Sequence, residues 1–348
     1  MTSPIRLAII GCGAMSELGH LPALRNTDAI AATVLIDTDG ARASALAAKF
    51  GIAHHSTDLA DAARYAEAAC VVVPHHVHAD VATRLIDAGL HILIEKPLAI
   101  RLEDCDAIIA AAERRRVVLA VAMVRRFART TRLLKNLIEQ RTFGAARTFR
   151  LVSGVSGTWP TKSAYALDAA QSGGGVLMVN GVHDLDLLAA LFDHPVPESL
   201  VFCADADFGR HGLLESDATL RMTTLSGTTG EVELSRTRDL ANGLTIEFER
   251  AHVHAPLFGD ELTVTLPEGA PMRWSGRIDE PGSTNRQDFN AMLTTQLDDF
   301  AAAISGKKRP EVDGREGRRV IETVTRCYAD VRPLDLPWRQ PVAVPEAA

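Results

Sequence analysis

Short apolar runs alternate with Ala-rich amphipathic stretches through the first third of the chain. Five of the runs are apolar almost throughout, as is typical of strands buried on both faces of a parallel sheet: IRLAII, ATVLI, CVVV, HILI and VVLAVAM. Four stretches between them place alanine and leucine at helical spacing: ARASALAAKF, DLADAARYAEA, HADVATRLIDA and LEDCDAIIAAAERR. This alternation predicts an α/β fold with a parallel sheet covered by helices on both sides.

The pattern changes near Met123, where a second domain is predicted to begin. A helix, RLLKNLIEQ, leads into the alternating strand ARTFRLVSGV. The Gly-rich segment SGGG, which we interpret as a hinge, precedes the helix VLMVNGVHDLDLLAALF. A series of antiparallel strands is predicted from there to about Trp274. Two helices follow, DFNAMLTTQLDDFAAAISG and GREGRRVIETVTRCYADV, and then the tail PWRQPVAVPEAA.

Length, charge and cysteine content bound the class of protein. A chain of 348 residues is long for a single core, so two domains are expected. The net charge of −7 argues against nucleic acid or an anionic membrane as the main partner. No signal peptide or bilayer-spanning segment is predicted. The cysteines are scattered and form no CxxC pair, which indicates reduced thiols in a cytoplasmic protein: Cys12, Cys70, Cys105, Cys203 and Cys327.

The segment GCGAMSELGHLPAL follows the first predicted strand. Gly11 and Gly13 fit the first two glycines of a dinucleotide-binding turn, with Ser16 at the third position. Asp37, at the end of the second strand, is placed to accept hydrogen bonds from ribose hydroxyls and to repel a 2′-phosphate. We therefore predict a nicotinamide dinucleotide site that favours NAD over NADP. The alternative is a plain strand–helix turn in which Asp37 caps a helix.

Glu95-Lys96-Pro97 closes the apolar run HILI at the carboxyl edge of the predicted sheet, where doubly wound folds bind ligands. A structural ion pair between Glu95 and Lys96 is one interpretation, but an exposed pair contributes only ~0–1 kcal/mol. We favour Lys96 as the donor to a substrate oxygen that gains negative charge during hydride transfer. Pro97 is predicted to set the direction of the chain at this point, and a cis Lys96–Pro97 peptide bond is one way in which it could do so.

Four segments together resemble the signature stretches of the Gfo/Idh/MocA oxidoreductases: GCGAMSELGHLPAL, PHHVHADVATRLIDAGLHILIEKPLA, VRRF and GGGVLMVNGVHDLDLLAAL. The resemblance implies a Rossmann domain over 1–124 and an α/β domain over 125–335, with a tail over 336–348. The second domain would carry an open, mostly antiparallel sheet that often forms the oligomer interface, here in a homodimer or homotetramer. It also implies that Lys96 is the catalytic lysine, that Pro74 and His75 line the cofactor side, and that substrate lies between the domains.

The helix containing Gly181, His183 and Asp186 matches the family pattern Asp-x-Gly-x-His-x-x-Asp except at its first position, where Val179 replaces aspartate. His183 is predicted to take the hydroxyl proton, and Asp186, three residues later, to fix the imidazole tautomer. Asn180 is a candidate for hydrogen bonding to substrate. The loss of the aspartate removes a carboxylate that in relatives helps to bind or activate substrate.

The remaining candidates complete the predicted site. The catalytic pair is Lys96 and His183. The cofactor-binding residues are Gly11, Cys12, Gly13, Ala14, Met15, Asp37, Pro74, His75, His78, Glu95 and Lys96. The substrate-binding residues are Lys96, Arg126, Trp159, Tyr165, Asn180 and His183. Arg125, Arg129 and Arg132 are assigned to one helix face that either binds a phosphate or carboxylate or is simply solvated. Clustered histidines such as His75 and His78 are assigned to the loop rather than to a metal, and no metal is expected.

These features predict an NAD-dependent oxidoreductase. It would transfer hydride between nicotinamide and a secondary alcohol of a sugar, cyclitol or nucleotide sugar. One alternative is an enzyme that retains NAD and uses transient oxidation for epimerisation, elimination or glycoside cleavage. The other, suggested by Val179, is an NAD-binding sensor without turnover. A small-molecule substrate is the expected partner, with neither nucleic acid nor membrane.

Overall fold

The computed structural model describes residues 3–157, 164–205, 214–275 and 285–336. Its first sheet has six strands, all parallel, in the order β3-β2-β1-β4-β5-β6. The strands are β1 Ile5–Ile10, β2 Ile30–Ile36, β3 His54–Ser56, β4 Ala68–Val71, β5 His91–Glu95 and β6 Leu119–Ala122. The order reverses between β1 and β4, as in a doubly wound fold, so the ligand-binding crevice lies at the carboxyl ends of these strands. The predicted parallel sheet is confirmed.

Helices cover both faces of this sheet. The helices are α1 Leu21–Leu24, which follows a π-helical turn over Ser16–His20, α2 Gly40–Phe50, α3 Asp61–Tyr65, α4 His78–Asp87 and α5 Leu102–Arg115. Two details differ from the prediction. Helix α3 ends at Tyr65 because the apolar residues after it form β4, and β3 was missed because its three residues are mostly exposed.

The second sheet has nine strands and is mostly antiparallel, in the order β14-β13-β12-β11-β7-β10-β9-β8-β15. Only the β7–β10 and β8–β15 pairs are parallel. The strands are β7 Ala146–Gly154, β8 Val201–Ala204, β9 Asp217–Thr223, β10 Thr229–Ser235, β11 Gly243–Phe248, β12 His252–Pro256, β13 Glu261–Thr265, β14 Met272–Ser275 and β15 Val331–Pro333. The predicted fold class is therefore confirmed, although Val331 belongs to β15 rather than to the end of a helix.

Five further helices complete the structure: α6 Arg129–Glu139, α7 Ala169–Ser172, α8 Val182–Phe192, α9 Asn285–Ile304 and α10 Gly314–Ala329. A π-helical turn over Leu177–Gly181 leads directly into α8. Short 3-10 turns lie at His75–Val77, Val124–Phe127, Tyr165–Leu167 and Pro197–Ser199. The helical segment Ala169–Phe192 is long and apolar enough to span a bilayer, contrary to the prediction, but 72% of its apolar window is buried inside the protein.

The last two helices return to the first sheet. On α9, Leu293, Leu297 and Phe300 share one hydrophobic core with Leu7 and Ile9 of β1. On α10, Gly317 lies so close to β6 that a Cβ there would come within 2.8 Å of the Val121 side chain. The predicted domain boundaries stay a prediction, but the packing assigns the chain after residue 285 largely to the parallel sheet.

The SGGG segment before the π-helical turn is closely packed against other parts of the protein, so it is not a hinge. A Cβ on Gly173 would lie 2.5 Å from the Ile100 side chain, and one on Gly174 would lie 2.2 Å from the Tyr328 hydroxyl. A Cβ on Gly175 would lie 2.1 Å from the main-chain oxygen of Glu215. At each of the three positions another part of the protein occupies the space that a Cβ would need, which explains the run of three glycines.

Glu215 caps the start of the helix beyond this segment. Its two carboxyl oxygens accept from the N–H groups of Gly175 at 3.0 Å and Leu177 at 2.7 Å, and its main-chain oxygen accepts from Val176 at 2.8 Å. The Tyr328 hydroxyl donates to the same carboxyl group. Three successive N–H groups, which a helix start leaves without intrahelical partners, are thus satisfied by one buried residue.

Replacing Glu215 by Ala should lower the free energy of unfolding by about 2–5 kcal/mol, because it leaves buried N–H and O–H donors unsatisfied. Urea unfolding measures this loss. Glu198→Ala, which removes an exposed glutamate, should change little. A Glu215→Ala variant as stable as wild type would contradict the cap.

Glu215 also makes the free energy of unfolding depend on pH. Burial raises the pKa of Glu215 to about 7, against the lowering effect of its hydrogen-bond donors. Because the folded-state pKa lies above the unfolded value, this contribution is present at low pH and is lost as pH rises through about 7. Glu215→Gln should remove that decline from the curve of unfolding free energy against pH.

Candidate active site

The glycine turn joins β1 to the helix that begins at Ala14. Gly11 has a φ of +98°, and a Cβ there would lie 2.3 Å from the Val72 carbonyl oxygen, so only glycine fits. The Ser16 hydroxyl donates to the Gly11 carbonyl oxygen at 2.6 Å, which replaces a third glycine by a side-chain hydrogen bond. Gly13 differs, because no described atom outside its two chain neighbours lies within 4 Å of where its Cβ would be. The space beside Gly13 is therefore open to a ligand.

Asp37 lies at the end of β2, beside the turn. Its carboxylate accepts from the Cys12 N–H at 2.7 Å and from the Asp39 N–H at 2.9 Å. A carboxylate has about four lone-pair sites, so acceptor capacity remains for ribose hydroxyls. Burial, followed by the charge of Asp37, raises the pKa of the Cys12 thiol to about 12, which keeps it neutral beside a phosphate site. Ala14 is buried and Met15 half-buried in the first turn of the helix.

Glu95 pairs with a histidine rather than with the neighbouring Lys96 ammonium. One carboxyl oxygen lies 2.8 Å from His20 Nε2, and the other accepts from the Lys96 main-chain N–H at 3.1 Å. Burial opposes charge on His20, but Cys70 and Glu95 outweigh it and raise the His20 pKa to about 10. The pKa of Glu95 is lowered despite its burial. This pair therefore ties the dinucleotide turn to the backbone of Lys96.

The Lys96 side chain extends from the end of β5 to the π-helical turn before α8. Its ammonium donates to the Val179 carbonyl oxygen at 2.7 Å, within the π-helical turn that leads into α8. Burial is the main reason that the Lys96 pKa is lowered, and Arg125 lowers it further. The Lys96–Pro97 peptide bond is cis, as the hypothesis for Pro97 allowed. π-Helical turns occur frequently at functional sites.

His183 lies on the first turn of α8, within the electrostatic influence of two cations. Burial, then Lys96 and Arg125, lower its pKa well below 6.5, so the imidazole is neutral at ordinary pH. Its Nδ1 atom is buried and has no hydrogen-bond partner among the described residues. A neutral imidazole beside an ammonium is equipped to accept a proton from a substrate hydroxyl.

Asp186 does not orient His183, which corrects the prediction. Both carboxyl oxygens of Asp186 accept from Arg126 at 2.8–3.0 Å, and Arg126 also donates to Glu316 at 3.2 Å. The Arg126 side chain is only 8% exposed. Its charge is used inside the protein, so the structure does not support its assignment to substrate binding.

The three arginines predicted to share a helix face do not all lie on one helix. Arg125 lies in the 3-10 turn before α6 and forms a buried ion pair with Asp184 of α8. Arg129 is 45% exposed and pairs loosely with Asp260, and Arg132 faces solvent. Of the three, Arg125 acts electrostatically on Lys96 and His183, whereas Arg129 and Arg132 lie on α6, so the anion-binding alternative for the row stays a prediction.

The predicted histidines and Tyr165 pack together in the loops after β4 and before α7. Pro74 is half-buried, and the His75 Nδ1 donates to the Ser172 carbonyl oxygen at 2.9 Å while its ring meets Tyr165 edge-on at 5.1 Å. The ring nitrogens of His78 lie 2.8 Å and 3.0 Å from the carbonyl oxygens of Pro97 and Val73. Since His78 is fully buried, it holds the loops together rather than contacting a ligand directly.

Two predicted substrate residues have different outcomes. Asn180 is exposed in the π-helical turn, beside the carbonyl that receives Lys96, so its assignment stays a prediction. Trp159 lies outside the described residues. Across the parts of the chain that the structure describes, no group of three or more His, Cys, Asp and Glu residues is arranged to hold a metal ion.

Asp184, Glu215 and His20 were not among the site residues predicted from the sequence. Asp184 lies next to His183 in the segment HDLD, but nothing in a single sequence indicates that it pairs with Arg125. His20 is visible three residues after Glu17 in the glycine-turn segment, yet its partner Glu95 is 75 positions away. These buried polar residues determine which charges remain available at the site.

Comparison with known proteins identifies the family. Residues 5–123 match the family model described as oxidoreductase family, NAD-binding Rossmann fold, and residues 131–254 match the GFO/IDH/MocA C-terminal domain. The chain is 26% identical to 1,5-anhydro-D-fructose reductase of Ensifer adhaerens, across 90% of this chain and 92% of the relative. It is 29% identical to UDP-N-acetylglucosamine 3-dehydrogenase of Acidithiobacillus ferrooxidans, across 91% and 94% respectively.

A solved structure supports the fold over nearly the whole chain. Levoglucosan dehydrogenase, in complex with NADH and levoglucosan, superposes with a TM-score of 0.81 at 19% identity, covering 94% of this chain and 98% of that one. The two family models, the cofactor turn and the sheet topology agree. The chain therefore belongs to the Gfo/Idh/MocA family of NAD-dependent oxidoreductases.

Proposed function

We propose that the chain transfers hydride between nicotinamide and a secondary alcohol carbon of a sugar, cyclitol or nucleotide sugar. The observation that carries this proposal is the 2.7 Å hydrogen bond from Lys96 Nζ to the Val179 carbonyl oxygen. It brings the end of β5 to the helical segment that holds His183, so an ammonium and a neutral imidazole share one site. The relatives named above, a sugar reductase and a nucleotide-sugar dehydrogenase, support the substrate class.

The residues at the glycine turn fit a dinucleotide. The open space at Gly13 allows close approach of a pyrophosphate, and the helix that starts beside it presents free N–H groups. Asp37 is placed for the ribose hydroxyls and disfavours the extra phosphate of NADP. When bound, NAD supplies the acceptor or donor for hydride.

Two side chains of the protein accept the substrate proton and stabilise the negative charge that develops on the substrate oxygen. Oxidation breaks the C–H and O–H bonds of the alcohol and forms a carbonyl group, so hydride and proton leave separately. His183 is neutral and accepts the proton. Lys96 donates a hydrogen bond to the oxygen as negative charge grows on it, and the same groups act in reverse during reduction.

Lys96→Met and His183→Ala should each lower turnover by at least ~100-fold on a panel of sugars, cyclitols and nucleotide sugars. Steady-state kinetics with NAD and NADH measure the loss. NAD affinity should stay close to wild type, because neither side chain is placed to hold the adenosine or the pyrophosphate. Lys307→Met and His252→Ala, which alter exposed residues outside the proposed site, serve as matched controls.

The opposite result would remove the catalytic assignment. If wild type turns over no member of the panel, and Lys96→Met binds NAD and each sugar as wild type does, the NAD-binding sensor becomes the better account.

The two glycines of the turn should respond differently to alanine. Gly13→Ala should fold normally, because its Cβ meets no described atom, but should lose NAD binding by at least ~10-fold since the Cβ occupies the pyrophosphate approach. Gly11→Ala should instead lower the melting temperature without ligand, because of its positive φ and the Val72 carbonyl. Thermal unfolding with and without NAD separates these effects. Unchanged NAD affinity in Gly13→Ala would place the pyrophosphate elsewhere.

A further inference from the structure

The charges around Lys96 do not balance. Its ammonium is bonded to the Val179 main-chain carbonyl, which is polar but uncharged. The acidic side chains that act on Lys96 electrostatically are Glu95 and Asp184. Glu95 is already bonded to His20, and Asp184 to Arg125. Within the described part of the chain, the positive charge of Lys96 therefore remains without a carboxylate of its own.

The replacement of aspartate by Val179 accounts for this excess. Val179 lies one helical turn before His183, and its side chain is half-buried. A carboxylate at this position would add a negative charge to the residue whose carbonyl oxygen already receives the ammonium, and it would lower the positive potential there. The isopropyl group adds no charge and no hydrogen-bond acceptor. His183, whose Nδ1 lacks a partner among the described residues, adds a second polar group that is left for a ligand.

We propose that the substrate supplies the missing carboxylate: the chain acts on a sugar-like alcohol that carries a carboxylate near the reacting carbon, as a sugar acid does. This inference rests on the proposed function, since it concerns the substrate of the same site. A carboxylate next to Lys96 forms a charge-assisted hydrogen bond and pairs with a half-buried cation. Arg125, held in place by Asp184, adds positive potential on the same side.

A neutral sugar lacks this interaction. Its hydroxyl groups can accept a hydrogen bond from Lys96, but they leave the charge of a partly desolvated ammonium without a counter-ion. A singly charged planar carboxylate matches the size and charge of the aspartate side chain that Val179 replaces. A phosphate group is larger and more highly charged, so we expect sugar phosphates to be poorer substrates than sugar acids.

Matched substrate pairs test the proposal. Glucuronate and galacturonate are compared with glucose and galactose, with glucose 6-phosphate as the second anion, and both kcat/KM and binding to the NAD-loaded protein are measured. The acids should be favoured by about 10-fold or more, the value expected for one added charge-assisted hydrogen bond. Equal or better use of the neutral sugars, or no binding preference for acids, would overturn the proposal. A preference for the phosphate would overturn its carboxylate form.

Substitution at position 179 supplies the internal control. Val179→Asp should reverse the preference towards neutral sugars, because the introduced carboxylate repels the substrate carboxylate and neutralises Lys96. Val179→Asn, similar in shape but uncharged, should keep the preference for acids. Thermal unfolding confirms that both variants fold. If Val179→Asn and Val179→Asp behave alike, charge is not what position 179 controls.

The two proposals fail in different ways. Oxidation of neutral sugars at least as fast as acids would leave the oxidoreductase activity intact and remove the charge argument. Tight binding of acids without any hydride transfer would keep the charge argument and remove the proposed function.

Discussion

The hydrogen bond from the Lys96 ammonium to the Val179 carbonyl oxygen is the interaction on which the site depends. It spans 83 positions of sequence and joins the carboxyl edge of the parallel sheet to the helix that carries His183. Each partner alone is ordinary, since a lysine at a strand end is often solvated and a helical carbonyl is normally bonded within its helix. Together they place a cation and a neutral imidazole in one partly desolvated space.

Two glutamates hold the two sides of this contact, the half-buried Glu95 and the buried Glu215. Glu95 uses one oxygen for His20 of the dinucleotide turn and the other for the Lys96 backbone. Glu215 caps the helix start that presents Val179, and Gly175 leaves it the room to approach. Unbonded polar groups in such positions would be costly, so each carboxyl group is bonded on both oxygens. Lys96 and the helix start before Val179 are therefore each held by a carboxyl group that is bonded on both oxygens.

Local patterns predicted most of the fold and several parts of the site. Apolar runs and helical spacing identified five of the six parallel strands, and the glycine turn and Lys96 were found from motif and position. The ion-pair and hydrogen-bond partners of the buried charged residues could not be predicted, because the two members of each pair are far apart in the sequence. Arg126 meets Asp186 across 60 positions and Gly175 meets Glu215 across 40. A single sequence shows that an arginine or aspartate is present, but only the fold shows whether that side chain forms an ion pair inside the protein.

The central claim is that the charge of Lys96 lies next to His183, and an NMR titration of the histidine signals tests it without any substrate. His183 is assigned by comparison with His183→Ala. In wild type, its pKa should lie well below 6.5, because burial and the charges of Lys96 and Arg125 disfavour the imidazolium. In Lys96→Met the pKa should rise, since one of those charges is gone. A His183 that titrates near 6.5 in wild type, with the same pKa in Lys96→Met, would contradict the account.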